Sequence, residues 1–178
     1  MDKRNHMTIR QERPSDYDEV YELVKTSFAT NSDDDGTTPD YLNDQRKKET
    51  FVPELSLVAA HEGGMIIGQL LLYKTTITTP QGEVTELLLS PICVHPDYFR
   101  QGIARAMIEE ALRKAKDMGF RTVFLCGNPE IYEKLGFVQT YRYNIFHVED
   151  QSKTADWSMV RELYPGALDG IAGVIATV

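Results

Sequence analysis

Residues 87–107 read LLLSPICVHPDYFRQGIARAM: an uncharged apolar run, a turn, and the start of an alternation of charged and apolar side chains. The run at 87–94 is rich in Leu, Ile and Val and reads as a strand. From 102 to 118, apolar or small side chains recur at Ile103, Met107, Ile108, Ala111, Leu112 and Ala115, while Arg105, Glu109, Glu110, Arg113, Lys114 and Lys116 fall between them. That spacing predicts one amphipathic helix of about four turns, stopped by Gly119. The β-branched and apolar run TVFLC follows at 122–126. A strand, a helix and a strand in a row make the two strands a parallel, right-handed pair.

The flanking segments extend this unit. Runs at 55–60, 65–79 and 83–94 are separated by HEGG and PQG, so three consecutive antiparallel strands are expected. Upstream lie a short strand at 8–11 and a first helix. That helix is signalled by the S-x-x-D pair Ser15 and Asp18 and by Val20, Leu23, Val24 and Phe28 at helical spacing. A second short helix is expected at 41–48. Downstream, 129–135 reads as a short helix opened by Pro129 and closed by Gly136. Segments 137–148 and 171–178 read as closing strands around a loop containing Trp157. The fold class is α+β: a mixed, mostly antiparallel central sheet with one parallel strand pair, flanked by helices.

Composition narrows the function classes. With 178 residues, 42% of them hydrophobic, a single domain at 7–178 is expected behind a polar extension at 1–6. A formal net charge of -8 argues against nucleic acid or an anionic membrane as partner, since both need a broad basic footprint. No apolar run reaches 18 residues and no signal-like segment opens the chain, so a cytoplasmic protein, monomer or homodimer, is expected. Cys93 and Cys126 read as buried apolar side chains rather than a disulfide. No His, Cys, Asp or Glu cluster has metal-ligand spacing, so no metal is expected.

Against that acidic background the turn at 95–105 is locally basic. A helix N-terminus offers free N–H groups and roughly half a positive charge, which suit a phosphate. Gly102 permits close approach, Ala104 leaves the first turn unobstructed, and Arg100 and Arg105 add forked donors that match phosphate oxygens. The other reading is a plain turn with solvated arginines. The stretch lacks the G-K-[ST] of a P-loop and the G-x-G-x-x-G of a dinucleotide site.

Three features taken together resemble the GNAT-type N-acetyltransferases: the order of elements, the run Pro91-Ile92-Cys93-Val94-His95-Pro96, and the turn Arg100-Gln101-Gly102-Ile103-Ala104. The later segment Asn128-Pro129-Glu130-Ile131-Tyr132-Glu133-Lys134-Leu135-Gly136-Phe137 is similar to the bacterial branch that carries G-(D/N)-P-x-x-Y-x-x-x-G-F. The tail from Ser158 to Leu168 also looks like that branch. The resemblance implies an acyl-CoA N-acyltransferase fold with acetyl-CoA as co-substrate. Ile92, Cys93 and Val94 would line pantetheine, and Arg100, Gln101, Gly102, Ile103, Ala104 and Arg105 would cradle the pyrophosphate. One departure stands out: the position three before Gly102, Arg or Gln in the family, is Phe99, which has no side-chain donor.

For the chemistry, the resemblance assigns Tyr132 as the acid that protonates the departing CoA sulfur. A tyrosine near pKa 10 serving a thiol near 8.5 acts uphill by about 2 kcal/mol, which is small beside a catalytic barrier. Asn128 is expected to cap the short helix or touch the cofactor. Glu86 shares strand parity with Leu88, Ser90 and Ile92, which nominates it as the base; an exposed strand-edge acid is the other reading. The need for a base depends on the acceptor. An α-amine is roughly 14% neutral at pH 7, but a lysine amine only about 0.04%. His95 is expected to serve its turn, His61 to be exposed, and Cys126, with no adjacent His, to be core rather than an acyl carrier.

Two function classes follow. One is an enzyme that moves acetyl from acetyl-CoA to a primary amine acceptor by direct attack in a ternary complex. The other is a non-catalytic acyl-CoA-binding sensor or interaction domain. In this fold the acceptor groove would draw on 28–48 and 144–157. There Asp33, Asp34, Asp35 and Asp40 suit a cationic acceptor such as a polyamine, an aminoglycoside or a basic peptide terminus, or else form a solvated loop.

Overall fold

The computed structural model describes residues 7–32 and 35–176. The expected extension at 1–6, Asp33, Asp34, and the end of the expected last strand, Thr177 and Val178, lie outside the described residues. Chain contacts gather into two units: residues up to Leu72 with Ser90–Lys114, and Tyr73–Leu89 with Ala115–Val178.

In the first unit β1 (Met7–Gln11) runs antiparallel to β2 (Phe51–His61), with Met7 opposite His61 and Gln11 opposite Leu57. The HEGG turn closes with the His61 N–H donating to the Met65 carbonyl at 2.8 Å and leads into β3 (Ile66–Thr79). Helix α1 (Tyr17–Phe28) buries Val20, Leu23 and Val24, as its spacing predicts. Each such burial stabilises by about 1.5–3 kcal/mol.

The entry to α1 differs from the S-x-x-D expectation. Ser15 lies in a 3-10 turn, Pro14–Asp16, and the Asp16 carboxylate accepts from the Arg13 N–H at 2.7 Å and from the Arg10 guanidinium at 2.7 and 3.0 Å. The Arg10 hydrogen bond holds the Asp16 carboxyl below its usual range. Helix α2 (Thr38–Gln45) starts earlier than expected because Pro39 suits its first turn. The residue after it, Arg46, grips the buried Glu12 carboxylate and stacks 4.1 Å from the centre of the Tyr17 ring. Glu12 also accepts from the Ser56 hydroxyl at 2.7 Å, so the end of α2, the end of β1 and the middle of β2 share one satisfied polar knot.

β4 (Gly82–Val94) starts in the second unit and ends in the first; within the second it pairs in parallel with β5 (Thr122–Cys126), Leu87 opposite Val123 and Leu88 opposite Phe124. The crossover helix that makes them parallel is α3 (Ile103–Asp117), most of which belongs to the first unit and which buries Ile103, Met107, Ile108, Ala111, Leu112 and Ala115. After β5 come α4 (Pro129–Tyr132), a 3-10 turn at Glu133–Leu135, and β6 (Val138–Gln139).

Here the chain departs from the expected closing strand at 137–148. A 3-10 turn at Thr140–Tyr143, ended by Asn144 at φ 55°, separates β6 from β7 (Ile145–His147). The strand beside β5 is β8 (Ser158–Glu162), antiparallel to it, with β6 on its far side. The last strand, β9 (Gly173–Ile175), lies parallel to β7 and antiparallel to β3, a second parallel pair that the sequence reading did not foresee. Hydrogen-bonded strands follow in the order β1-β2-β3-β4 and β4-β5-β8-β6. The sheet is mixed and mostly antiparallel, as expected of the α+β class.

Candidate active site

The β4–β5 ladder ends at Leu88, yet β4 continues to Val94. Over that extension Cys93 and Val94 are buried and Ile92 is half-buried. Burial pushes the Cys93 thiol up to about 12, against the smaller opposing effects of Ser27 and the Gln69 backbone. Cys93 is therefore a packing group on this strand.

The strand closes with the His95 N–H donating to the Ile67 carbonyl at 2.8 Å. A 3-10 turn follows at Pro96–Tyr98, where His95 Nδ1 accepts from the Asp97 N–H at 3.3 Å; this is the turn role expected of His95. Arg100 and Gly102 then both adopt the left-handed region, at φ 59° and 79°, on either side of Gln101. For Arg100 this costs of order 1–3 kcal/mol, a strain that gathers at functional sites. Reversing φ in this way turns successive N–H groups toward one side and makes an anion-binding concavity.

The Ala106 N–H donates to the Gly102 carbonyl at 3.0 Å. The N–H groups of Ile103 and Ala104, in the first turn of α3, have no carbonyl of their own helix to reach and carry its positive end. Arg100 and Arg105 are exposed. Gln101 instead turns back on the loop, its Nε2 donating to the Asp97 carbonyl at 3.3 Å. All six expected cradle residues thus stand on one turn and one helix start.

In the second unit Asn128 caps α4 by accepting from the Glu130 N–H at 2.9 Å, which takes up the side chain's capacity as acceptor on that side. Tyr132 ends that helix, half-buried, its ring edge-on to Phe137 at 5.8 Å. Burial raises its hydroxyl above the ordinary tyrosine value, so it holds its proton across the physiological range. Gly127, which the sequence reading did not single out, makes this placement possible: a Cβ there would lie 2.4 Å from Tyr132 Cε2. The signal was available, since a glycine directly before Asn-Pro lets a ring fold back over the backbone.

Glu86 is not the exposed strand-edge acid that the sequence left open. It is 1% exposed, and its carboxylate accepts from Arg121 Nε at 2.9 Å, Arg121 Nη2 at 2.8 Å, the Arg121 N–H at 3.2 Å and the Thr122 N–H at 3.0 Å. The carboxylate is tied by these bonds to the start of β5. Cys126 also corrects its expectation. It is exposed at the end of β5, and desolvation together with the Glu149 charge pushes its thiol up to about 11. His61 is half-buried against Tyr98, with ring centroids 5.9 Å apart.

Of the expected acceptor acids, Asp35 accepts from both the N–H and the hydroxyl of Thr37, which hold its carboxyl below the usual range, and Asp40 accepts from the Tyr21 hydroxyl at 3.1 Å. Within 144–157, His147 is buried edge-on to Trp157 at 4.8 Å, and Lys153 lies over the Phe146 ring at 5.3 Å.

A strand that outruns its parallel partner, a turn with Arg100 and Gly102 at positive φ and the start of α3 follow one another at the end of β4. Residues 8–140 match the family model described as an acetyltransferase (GNAT) domain, and the chain belongs to that family. It is 26% identical to the uncharacterized N-acetyltransferase YhbS of Escherichia coli K12 over 170 residues, 95% of each chain. It is also 26% identical to the uncharacterized N-acetyltransferase YjhQ of the same strain, over 75% of this chain and 70% of that one. Among solved structures, Escherichia coli YhbS in complex with CoA superposes with a TM-score of 0.86 at 22% identity, covering 97% of this chain and 90% of that one. A GNAT family acetyltransferase from Brucella melitensis in complex with acetyl-CoA gives 0.77 at 23% identity, covering 97% and 96%.

Proposed function

We propose that this GNAT acetyltransferase moves acetyl from acetyl-CoA to a primary amine of a small molecule or peptide by direct attack in a ternary complex. The observation that carries this reading is the turn at 100–105, where alternating φ, an open helix start and two exposed arginines meet directly after β4. That the solved relatives YhbS and the Brucella protein hold CoA and acetyl-CoA supports the same ligand here. Pantetheine would run along Ile92 to Val94, where β4 has outrun its ladder to β5. The matched span includes residues of both units, which supports one N-acetyltransferase domain over 7–178. The two free thiols fit a cytoplasmic setting.

The amine nitrogen attacks the thioester carbonyl, a C–N bond forms, the C–S bond breaks, and the sulfur leaves as thiolate. Tyr132 gives its proton to that sulfur and regains one from the acetylated nitrogen through water, so charge and protons balance. With Glu86 held by Arg121, this reading leaves no side-chain base, and solvent takes the amine's first proton. Such a mechanism favours acceptors already partly neutral, and α-amines are far ahead of lysine amines in that respect.

The test is thiol release from acetyl-CoA with a panel of primary amines. Tyr132→Phe is expected to lower kcat by about 100-fold, the usual scale for a lost general acid, with CoA affinity within twofold of wild type. Equal background release by both proteins with every amine would overturn the enzyme reading and leave an acyl-CoA-binding module.

A further inference from the structure

The run IIGQLLL at 66–72 sets a carboxamide among apolar side chains on β3. Gln69 is 0% exposed, and neither its Oε1 nor its Nε2 has a hydrogen-bond partner. A carboxamide carries two donor hydrogens and a carbonyl with two lone pairs, so turning it end for end leaves the deficit unchanged. Donors and acceptors shut away from bulk water are almost always paired, because each one left alone is costly.

A second such group lies nearby. A Cβ on Gly68 would stand 2.7 Å from Met107 Sδ, so position 68 looks to α3, and strand alternation turns Gln69 to the opposite face. Ser27, near the end of α1, is 7% exposed, and its hydroxyl also lacks a hydrogen-bond partner. Burial raises the Cys93 thiol, and the Ser27 hydroxyl and the Gln69 backbone N–H oppose that rise, so both residues border this side chain. The line of α1 agrees, since Glu19 Oε1 accepts from the Ile66 N–H at 2.7 Å. Ser27 is about 12 Å of helix beyond Glu19, and Gln69 about 10 Å of strand beyond Ile66. A thiol sulfur is a weak acceptor, so Cys93 leaves the hydroxyl and the carboxamide unsatisfied.

We infer that Gln69 and Ser27 hold an internal water molecule between β3 and α1. The polar atoms on offer, Gln69 Oε1, Gln69 Nε2 and Ser27 Oγ, are uncharged and include both donors and acceptors. A hard metal ion calls for oxygen ligands, several of them charged, and an anion calls for donors alone. Burial this complete admits only a very small occupant. Water is small, gives and takes hydrogen bonds, and makes about three of them inside a protein, which matches the atoms present. Bound there, it ties β3 to the last turn of α1, which ends one residue on at Phe28, where the segment expected to serve the acceptor begins. The water belongs to the free protein and does not depend on acetyl-CoA.

Nuclear magnetic resonance of the free protein tests this without any ligand. The carboxamide protons of Gln69 are expected to show water cross-peaks whose NOE and ROE have opposite signs, the mark of a water that is held rather than one that passes or exchanges its protons. Deuterium relaxation dispersion, whose amplitude measures water held inside a protein, should lose amplitude in Gln69→Met, which keeps nearly the same volume and removes both polar atoms. Ser27→Ala takes away one partner and should move the dispersion to higher frequency, a shorter residence. Carboxamide protons without such cross-peaks, or equal amplitudes in wild type and Gln69→Met, would overturn the water site. An unchanged frequency in Ser27→Ala would overturn the part given to Ser27. Should Gln69→Met fail to fold, the wild-type spectrum decides alone.

Discussion

Cys126 bears on whether acetyl could pause on the protein. The thiolate is the nucleophile, and with the thiol pushed up to about 11 only about one Cys126 in ten thousand is ionised at pH 7. Among the described residues no histidine is hydrogen-bonded to it, and the nearby Glu149 charge disfavours the anion further. Exposure without ionisation gives a poor acyl carrier, which agrees with direct attack. The expected behaviour toward a disulfide reagent follows. Cys126 labels slowly at pH 7, with a rate that rises about tenfold per pH unit until pH approaches 11, because only the deprotonated fraction reacts. Cys93, buried and shifted to about 12, labels only when the chain unfolds. Fast, pH-independent labelling of Cys126 near neutrality would show an activated thiol and reopen a covalent route.

At the scale of elements, the Glu86–Arg121 clamp decides how β5 begins. One carboxylate satisfies two backbone N–H groups and a guanidinium there, fixing the register that sets Leu87 against Val123. Breaking a fully buried pair costs about 3–5 kcal/mol, but Arg121 is half-exposed and rehydrates, so Glu86→Ala is expected to cost about 2–3 kcal/mol. In a chain of this length that lowers the midpoint by roughly 5–10 °C, measured by a thermal scan. Turnover well below the midpoint should stay within about threefold of wild type. A large loss of kcat with an unmoved midpoint would return Glu86 to the role of base.

The same clamp shows what the sequence could carry and what it could not. Period-2 parity set Glu86 on the face of Leu88 but said nothing of which charge from another strand would meet it, and Arg121 lies 35 positions away. Periodicity captured α1, α3, β3, β4 and β5 almost to the residue because each buries a long apolar stripe. It missed β8 and blurred β6, β7 and β9 into longer strands, because the pairing of strands of two to five residues is set by neighbours rather than by their own pattern. The cradle was legible because it is local, resting on backbone φ at Arg100 and Gly102 and on a helix start. Tyr132 and the glycine beneath its ring were legible only through the motif that carries both.

For the whole molecule, the salient property is a mismatch between net and local charge. The chain carries 27 acidic against 19 basic side chains, a formal charge of -8, yet is proposed to bind polyanionic CoA at a turn bearing Arg100 and Arg105. The two fields act over different distances. At an ionic strength of 0.01 M the screening length is about 30 Å, so an approaching anion feels the summed negative charge. At 0.15 M it is about 8 Å, and only the arginines and the helix start remain in range. CoA affinity is therefore expected to rise by a few-fold between 0.01 and 0.15 M salt, then to fall as the contacts at the cradle are themselves screened at about 1 M. Calorimetric titrations across that range check it. Arg100→Ala should weaken CoA throughout and make the fall at high salt shallower, since one of the screened contacts is already gone. Affinity that declines steadily from the lowest salt would mean that the turn's local field outweighs the net charge even at long range.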